Sequence, residues 1–147
     1  MKTLIKNGTI INANESKKAN ILIQDDKIIA ITTDEPSADI VIDANGKLVM
    51  PGLIDIDVHF RDPGFEYKDD IITGSQTAVA GGVTACCPMA NTNPVNDNAT
   101  ITRDMIEKAK KRGLIDLMPI GAITKGMKGG GITEMGEMSD VFSNIFS

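Results

Sequence analysis

The chain has 147 residues, a net charge of −5 and a pI of about 4.8. An acidic surface disfavours binding to nucleic acid or to an anionic membrane, because basic side chains are what neutralise phosphate groups. Aromatic residues make up 3% of the chain and tryptophan is absent, which disfavours platforms for base stacking. The sequence has no apolar run near the about 18 residues that span a membrane and no signal-peptide core, so we expect a cytoplasmic protein.

The first third of the chain alternates short apolar runs with turn signals, which predicts a small β-domain over residues 1–51. Turns are expected at Asn7-Gly8, Asp25-Asp26 and Asn45-Gly46. The predicted strands cover residues 2–6, 9–11, 21–24, 27–32, 40–42 and 47–50.

From residue 52 the pattern changes to alternating strands and helices, which predicts parallel βα units and an α/β fold over residues 52–147. Strands are predicted at 53–58, 83–87, 114–120 and from about 144, with helices at 69–80, 99–112 and 132–138. Asp69 and Asp70 are expected in the first turn of the first helix, and Asn98 and Gly113 at the ends of the second.

Three further features of this region favour structural roles. Lys108 to Arg112 is typical of a solvated face at a helix C-terminus. The glycine-rich stretch 126–131 lacks the phosphate-loop pattern and predicts a mobile loop. Cys86 and Cys87 are adjacent, so on a strand they point to opposite faces, and we expect two free thiols rather than a disulfide or a metal knuckle.

The most informative segment is the apolar run at 53–58 and the polar residues that follow it. Asp57 and His59 lie two apart, so on a strand their side chains point to the same face. His59 is the only histidine in the chain. Imidazole and carboxylate both bind zinc, but one of each falls short of the three protein ligands that a catalytic zinc keeps. Asp57 and His59 are therefore candidate metal ligands in an incomplete set.

The segment PGLIDIDVHFRDPG resembles the first barrel strand of dihydroorotases, which are cyclic amidohydrolases of the TIM-barrel metallohydrolase superfamily. Their pattern there is D-x-H-x-H-x-R-x-P-G. This chain departs from it at Asp57, where the family has a histidine, and matches it at Asp55, His59, Arg61, Pro63 and Gly64. Two later stretches are also similar to the family and keep its order, MANTNPV at 89–95 and GAITKG at 121–126, the latter followed by EMGE at 134–137.

The resemblance implies a fold, a cofactor and site residues. It implies part of a TIM barrel preceded by an incomplete β-sandwich domain, and zinc held by His59 with Asp57 in place of the family histidine. Arg61 would bind the substrate carboxylate, Asn91 would contact the substrate, and His59 would lie beside it. The substrate pair would be dihydroorotate and N-carbamoyl-L-aspartate, in pyrimidine biosynthesis. The resemblance places no catalytic residue in this chain, because the proton-shuttling aspartate is expected beyond residue 147.

Other interpretations of the same residues stay open. Arg61 could form a surface ion pair with Asp62 or Glu66, Asn91 could be a turn residue, and Asp55 could satisfy backbone donors below the site. The chain could instead be a non-catalytic partner of aspartate transcarbamoylase, a homo-oligomer, or a relative of hydantoinases and allantoinases, which share the first motif. The stretch MANTNPV favours dihydroorotase among these.

Length limits what the chain can do. A TIM barrel needs about 250 residues, so 147 residues hold roughly the first half of one. In dihydroorotases of this type the strand entered at 141–147 ends in F-S-D-D-G, and this sequence stops just before that motif. We therefore expect no dihydroorotase activity from this chain alone, and an open sheet edge with an aggregation liability.

Overall fold

The computed structural model describes residues 1–141 and 144–147, which form a mixed α/β structure with three α-helices. The chain divides into two compact units, Met1–Pro51 and Gly52–Ser147. In the described residues no helix is long and apolar enough to cross a membrane.

The first unit consists of two β-sheets. Its strands are β1 Lys2–Lys6, β2 Thr9–Ile11, β3 Ser16–Lys18, β4 Asn20–Gln24, β5 Lys27–Thr32, β6 Ile40–Asp43 and β7 Leu48–Val49. One sheet has the order β5-β4-β1-β6, with β1 antiparallel to β4 and parallel to β6, and the other has the order β3-β2-β7. The buried apolar side chains of this unit are Leu4, Ile10, Ile21, Leu22 and Ala44. Both faces of β4 are buried, because the adjacent residues Ile21 and Leu22 point to opposite sides of the sheet.

Most strands of this unit lie where the sequence predicts them. Strand β3 was not predicted, because Ser16–Lys18 is polar and wholly exposed and so carries no apolar alternation. The predicted strand at 47–50 is reduced to two residues. The three predicted turns contain residues in the left-handed region, with φ of 64° at Asn7, 55° at Asp25 and 73° at Gly46.

The second unit is a parallel three-stranded sheet with helices between its strands. Its elements are β8 Leu53–Val58, α1 Ile71–Ala80, β9 Val83–Pro88, α2 Ala99–Arg112, β10 Asp116–Leu117 and α3 Met135–Val141, with a short 3-10 helix at Lys125–Met127. The sheet order is β10-β9-β8, so consecutive strands are neighbours and β8 lies at an edge. Its apolar core contains Phe60, Ile71, Cys86, Met105, Ala109 and Leu117.

Side-chain caps determine where α1 and α2 begin. The Asp70 carboxylate accepts hydrogen bonds from the backbone N–H groups of Ile72 and Thr73, and the Asn98 side chain accepts from those of Thr100 and Ile101. The predicted start of the first helix was therefore wrong, because Asp70 is the cap and Asp69 precedes it. The N-cap and the end of α2 agree with the prediction, since Gly113 follows its last residue.

The last elements differ from the prediction. The strand expected at 114–120 is reduced to Asp116–Leu117, although the N–H groups of Met118 and Ile120 still donate to carbonyls of β9 at 2.9 Å. Pro119, between them, directs its backbone nitrogen away from β9, so its lack of an N–H leaves these two hydrogen bonds intact. The helix expected at 132–138 lies at Met135–Val141, and of the fourth strand only an isolated bridge from Phe146 to Gly121 is formed. Residues 142–143, in the stretch 141–147 that was expected to lead into this strand, lie outside the described residues.

Candidate active site at the ends of two parallel strands

The polar side chains that follow β8 and β9 meet at the carboxyl ends of these strands. His59 comes directly after β8, and its Nδ1 lies 3.1 Å from Oδ1 of Asn91, three residues after β9. On the other side of the ring, His59 Nε2 lies 3.9 Å from Oδ1 of Asp57. Parallel neighbours present their carboxyl ends at the same edge of a sheet, which explains the convergence of residues 32 positions apart.

The contact with Asn91 selects one protonation form of the neutral imidazole. An amide oxygen only accepts hydrogen bonds, so Nδ1 of His59 is the donor and carries the proton. The lone pair of the neutral ring is then on Nε2, the nitrogen nearer to Asp57. A ring held in this way presents Nε2 as a potential metal ligand.

The donors at this edge could supply at most two ligands of a metal ion, and they are farther apart than the ligands of a zinc ion. Ligand atoms of a tetrahedral zinc, each about 2.1 Å from the ion, are about 3.4 Å apart, whereas Asp57 Oδ1 and His59 Nε2 are separated by 3.9 Å. In the described part of the chain no group of three or more His, Cys, Asp and Glu side chains could hold an ion. Asp57 and His59 alone therefore do not complete a catalytic zinc site.

Arg61 follows this pair, two residues after His59, and is partly buried. Within residues 1–141 and 144–147 it forms no ion pair. The two surface pairs considered from the sequence are not formed, because Asp62 pairs with Lys108 and the Glu66 carboxylate accepts from the N–H of Gly64 at 2.8 Å. A half-buried guanidinium without a carboxylate partner can bind an anionic ligand.

The loops that follow β8 and β9 are packed against each other. The N–H of Asn93 donates to the carbonyl of Pro63 at 2.8 Å. Gly64 has a φ of 95°, and a Cβ at this position would lie 1.9 Å from the Asn93 carbonyl oxygen. Only glycine allows this approach, which holds the loop of Arg61 against the loop of Asn91.

A buried asparagine that the sequence analysis did not single out links this edge to β10. Asn96 is 0% exposed, donates from Nδ2 to the carbonyl of Ile120 at 2.8 Å, and accepts at Oδ1 from the hydroxyl of Thr102 at 2.7 Å. Its neighbour Asp97 accepts from the N–H of Gly126 at 2.8 Å. Asn96 stands among turn-forming residues, and the sequence carries no signal that its side chain is buried.

Amide groups of the glycine-rich loop are used within the protein. Besides the contact of Gly126 with Asp97, the N–H of Gly129 donates to the Thr124 hydroxyl at 3.1 Å. An acidic side chain at the start of this loop opposes phosphate binding, in agreement with the lack of a phosphate-loop motif.

The two cysteines are free, as predicted, and the structure buries both of them. Burial raises the pKa of both thiols, and the nearby Asp55 carboxylate raises it further. The Asp55 carboxylate also accepts a hydrogen bond from the backbone N–H of Asp57 at 3.2 Å. A thiol with a raised pKa is a poor nucleophile and a poor metal ligand at neutral pH, so Cys86 and Cys87 are structural.

Solved structures of hydantoinases and dihydropyrimidinases are similar to this chain. The L-hydantoinase of Arthrobacter aurescens superposes with a TM-score of 0.86 over 98% of this chain and 32% of its own, at 27% identity. The dihydropyrimidinase of Brevibacillus agri superposes with a TM-score of 0.76 over 98% of this chain and 31% of its own, at 28% identity. The fold thus corresponds to part of the structure of such enzymes.

The sequence comparisons identify the protein family more closely than the fold does. A family model described as dihydro-orotase-like matches residues 46–146. The dihydroorotase of Syntrophotalea carbinolica is 50% identical over 94% of this chain, and that of Caldicellulosiruptor saccharolyticus is 48% identical over 93%. The chain belongs to the dihydro-orotase-like family, and it spans about a third of the length of these relatives.

Proposed function

We propose that the chain is the N-terminal part of a dihydroorotase-type hydrolase located in the cytoplasm. In this proposal residues 52–147 are the first strands and helices of a TIM (β/α) barrel, and residues 1–51 are part of a small β-sandwich domain. The substrates would be dihydroorotate and N-carbamoyl-L-aspartate, a cyclic amide and its ring-opened acid, in pyrimidine biosynthesis. The names of the curated relatives support this substrate pair.

The observation that carries the proposal is the meeting of His59 and Asn91 at 3.1 Å, with the unpaired Arg61 two residues from His59. A cation, an amide and an imidazole at the carboxyl ends of parallel strands are placed where βα barrels bind their substrates. Dihydroorotate and N-carbamoyl-L-aspartate both offer a carboxylate to the cation and an amide or urea group to the neighbouring polar side chains.

Two residues would bind and orient the substrate. The guanidinium of Arg61 can hold a carboxylate through two parallel hydrogen bonds. Because the Asn91 oxygen accepts from His59, the amide hydrogens on its Nδ2 remain for a substrate carbonyl. His59 would lie beside the bound molecule.

Zinc is the cofactor that we propose for the whole protein, with His59 and Asp57 as the ligands from this segment. When bound, zinc lowers the pKa of its water to about 7 and polarises a carbonyl group. Asp57 is shorter than histidine and charged, and two donors do not complete the shell. We therefore expect this chain alone to bind zinc weakly and to have no dihydroorotase activity.

Titration calorimetry with N-carbamoyl-L-aspartate tests the binding role. We expect Arg61→Ala to weaken binding about tenfold or more, because a charge-assisted carboxylate pair is lost. The matched control is Arg103→Ala, which removes an exposed arginine from α2 and should leave the affinity unchanged. Hydantoin, which has no carboxylate, should bind no more weakly to Arg61→Ala than to the wild type.

The same titration separates the proposal from its alternatives. A wild-type chain that does not bind N-carbamoyl-L-aspartate would refute the binding role of Arg61, and a preference for hydantoin would favour a hydantoinase-like or allantoinase-like protein. Zinc-dependent hydrolysis of dihydroorotate by the purified chain would contradict the expected inactivity.

The departure at Asp57 favours a second candidate, a non-catalytic dihydroorotase-like partner of aspartate transcarbamoylase. In this case metal binding is dispensable and a protein surface carries the function. Co-purification with a transcarbamoylase would support this role. A monomer that retains no partner, neither a transcarbamoylase nor a second copy, would count against it.

A further inference from the structure

We propose that Lys108 is a positioning residue that keeps the Arg61 guanidinium available for an anionic ligand, by holding the neighbouring Asp62 carboxylate in an ion pair. Only the identity of that ligand rests on the function proposed above. The availability of Arg61 is a separate property, which can be measured without any ligand.

The Asp62 carboxylate is buried and both of its oxygens are engaged. The side chain is 2% exposed, and its Oδ1 lies 2.5 Å from Nζ of Lys108 in the middle of α2. Its Oδ2 accepts from the N–H of Ile71, the first residue of α1, at 3.3 Å. Asp62 therefore joins the loop after β8 to both helices.

Lys108 is charged throughout the neutral range. Partial burial lowers the pKa of its ammonium group, but the hydrogen bond and the charge of Asp62 outweigh this effect and raise the pKa above its usual value. The ion pair is therefore intact at neutral pH. The interpretation of residues 108–112 as one solvated helix face was wrong for Lys108, because its ammonium group pairs with the buried Asp62 carboxylate.

The backbone of Arg61 is fixed by its buried neighbours Phe60 and Asp62, whereas its side chain is free to change its ion-pair partner. Phe60 is 5% exposed, and its ring lies so close to Gly74 that a Cβ there would be 2.4 Å from it. Arg61 itself has a φ of 61°, in the left-handed region, between buried Phe60 and buried Asp62. This conformation puts a half-exposed arginine next to an anchored carboxylate.

Without the Lys108 ammonium group, the most accessible cation for Asp62 would be Arg61. A buried carboxylate without a partner is strongly unfavourable, so the chain would find another positive group for it. The adjacent guanidinium is long enough to fold back onto the carboxylate and would lose its freedom to bind a ligand. In the structure, Lys108 prevents this competition.

Arginine modification by phenylglyoxal, followed by peptide mass mapping, tests the proposal on the whole chain. The sequence has three arginines, Arg61, Arg103 and Arg112, so the latter two are internal controls in the same sample. We expect Lys108→Met to slow modification at Arg61 about threefold or more, the factor that corresponds to a partly exposed ion pair. Lys108→Arg should keep the wild-type rate, because the positive partner of Asp62 is retained.

A double variant separates positioning from a structural role. Asp62→Asn combined with Lys108→Met removes both charges, so Arg61 no longer has the Asp62 carboxylate to fold onto and should react at the wild-type rate. An unchanged or faster Arg61 in folded Lys108→Met would overturn the proposal. Faster reaction at all three arginines would show that Lys108→Met unfolds, and the test would then rest on the double variant. If Arg61 reacts faster in the double variant than in the wild type, Asp62 already binds the Arg61 guanidinium in the wild type, and the proposal is wrong.

Ligand protection distinguishes this proposal from the proposed function. N-carbamoyl-L-aspartate should slow phenylglyoxal modification of wild-type Arg61 and leave Arg103 unaffected. Absence of protection would count against the proposed substrate, whereas the rates of the variants without ligand test Lys108 in either case.

Discussion

At the scale of single residues, the contact between His59 and Asn91 determines which ring nitrogen carries the proton. The chain has one histidine, so its nitrogen NMR spectrum contains a single imidazole. We expect the Nδ1-protonated form in the wild type and a shift towards the Nε2-protonated form in Asn91→Ala, because the acceptor of the Nδ1 proton is lost.

A neighbouring asparagine supplies the control for this experiment. Asn93→Ala leaves the Asn91 oxygen in place and should keep the wild-type tautomer, since Asn93 contacts the loop through its backbone N–H. If Asn91→Ala has the same imidazole spectrum as the wild type, the hydrogen bond does not select the tautomer.

Position 57 determines how well this edge binds a metal ion. A histidine there would put two imidazoles on the same face of the strand end, whereas Asp57 contributes a shorter, charged side chain 3.9 Å from His59 Nε2. We expect Asp57→His to bind Co²⁺ about tenfold more tightly or better, read from the visible absorption of the ion. Asp55→His is the control, and an equal gain there would contradict a specific role of position 57.

At the scale of elements, the Asp70 cap stabilises α1 in a pH-dependent way. The backbone N–H of Thr73, followed by that of Ile72, lowers the pKa of the Asp70 carboxyl below 3.8, against an opposing effect of burial. A lowered folded-state pKa means that the stabilisation is present above the unfolded value and is lost as the pH falls through the folded value.

Asp70→Ala should therefore lower the free energy of unfolding by about 1 kcal/mol at pH 7, and this difference should shrink below pH 3.8. Urea denaturation at several pH values measures it. Asp26→Ala, in an exposed turn, should change stability by less than about 0.5 kcal/mol. If the loss of unfolding free energy in Asp70→Ala does not vary with pH, the cap does not depend on the charge of the Asp70 carboxylate.

Gly64 holds together the two loops that carry the site. Its φ of 95° and the 1.9 Å between a built Cβ and the Asn93 carbonyl oxygen leave no room for a side chain. Gly64→Ala should lower the free energy of unfolding by about 2 kcal/mol or more and separate His59 from Asn91. Gly130→Ala, with open space around its Cβ, should change the free energy of unfolding little. An equal loss of unfolding free energy in the two variants would refute the close approach at Gly64.

At the scale of the whole molecule, the edge strand β8 exposes a line of large apolar side chains. Leu53 is 48% exposed, Ile54 60% and Ile56 71%. Unpaired edge strands with apolar side chains favour pairing with other chains. We expect the chain to self-associate as its concentration rises, measured by sedimentation velocity.

A charge on this strand should reduce the association. Ile56→Lys places an ammonium group on the exposed strand and should shift association to higher concentration without lowering the melting temperature, since the side chain is already in solvent. Ile132→Lys changes a residue that is 67% exposed outside the sheet and should not affect association. Equal effects of the two variants would show that β8 is not the associating surface.

Local structure was predictable from the residues alone wherever the chain carries a short-range signal. Apolar alternation and turn residues predicted most strands of the first unit, and Asn98 and Gly113 predicted both ends of α2. The pattern around His59 and Arg61 predicted the family, because a motif is read along the chain. Strand β3 was not predicted, because it has no apolar alternation. Strand β10 was predicted too long, because its pairing depends on its neighbours in the sheet.

The contacts between distant side chains follow from the way the elements pack. The pairing of His59 with Asn91 depends on two parallel strands ending at the same edge. Lys108 carries the sequence signal of a solvated helix end, yet its ammonium binds a carboxylate 46 residues earlier because α2 packs against the loop after β8. Asn96 likewise links Ile120 to Thr102 only because its side chain is buried between them. The spacing of residues along the chain predicts which face of an element is buried, but it does not specify which distant residue that face will contact.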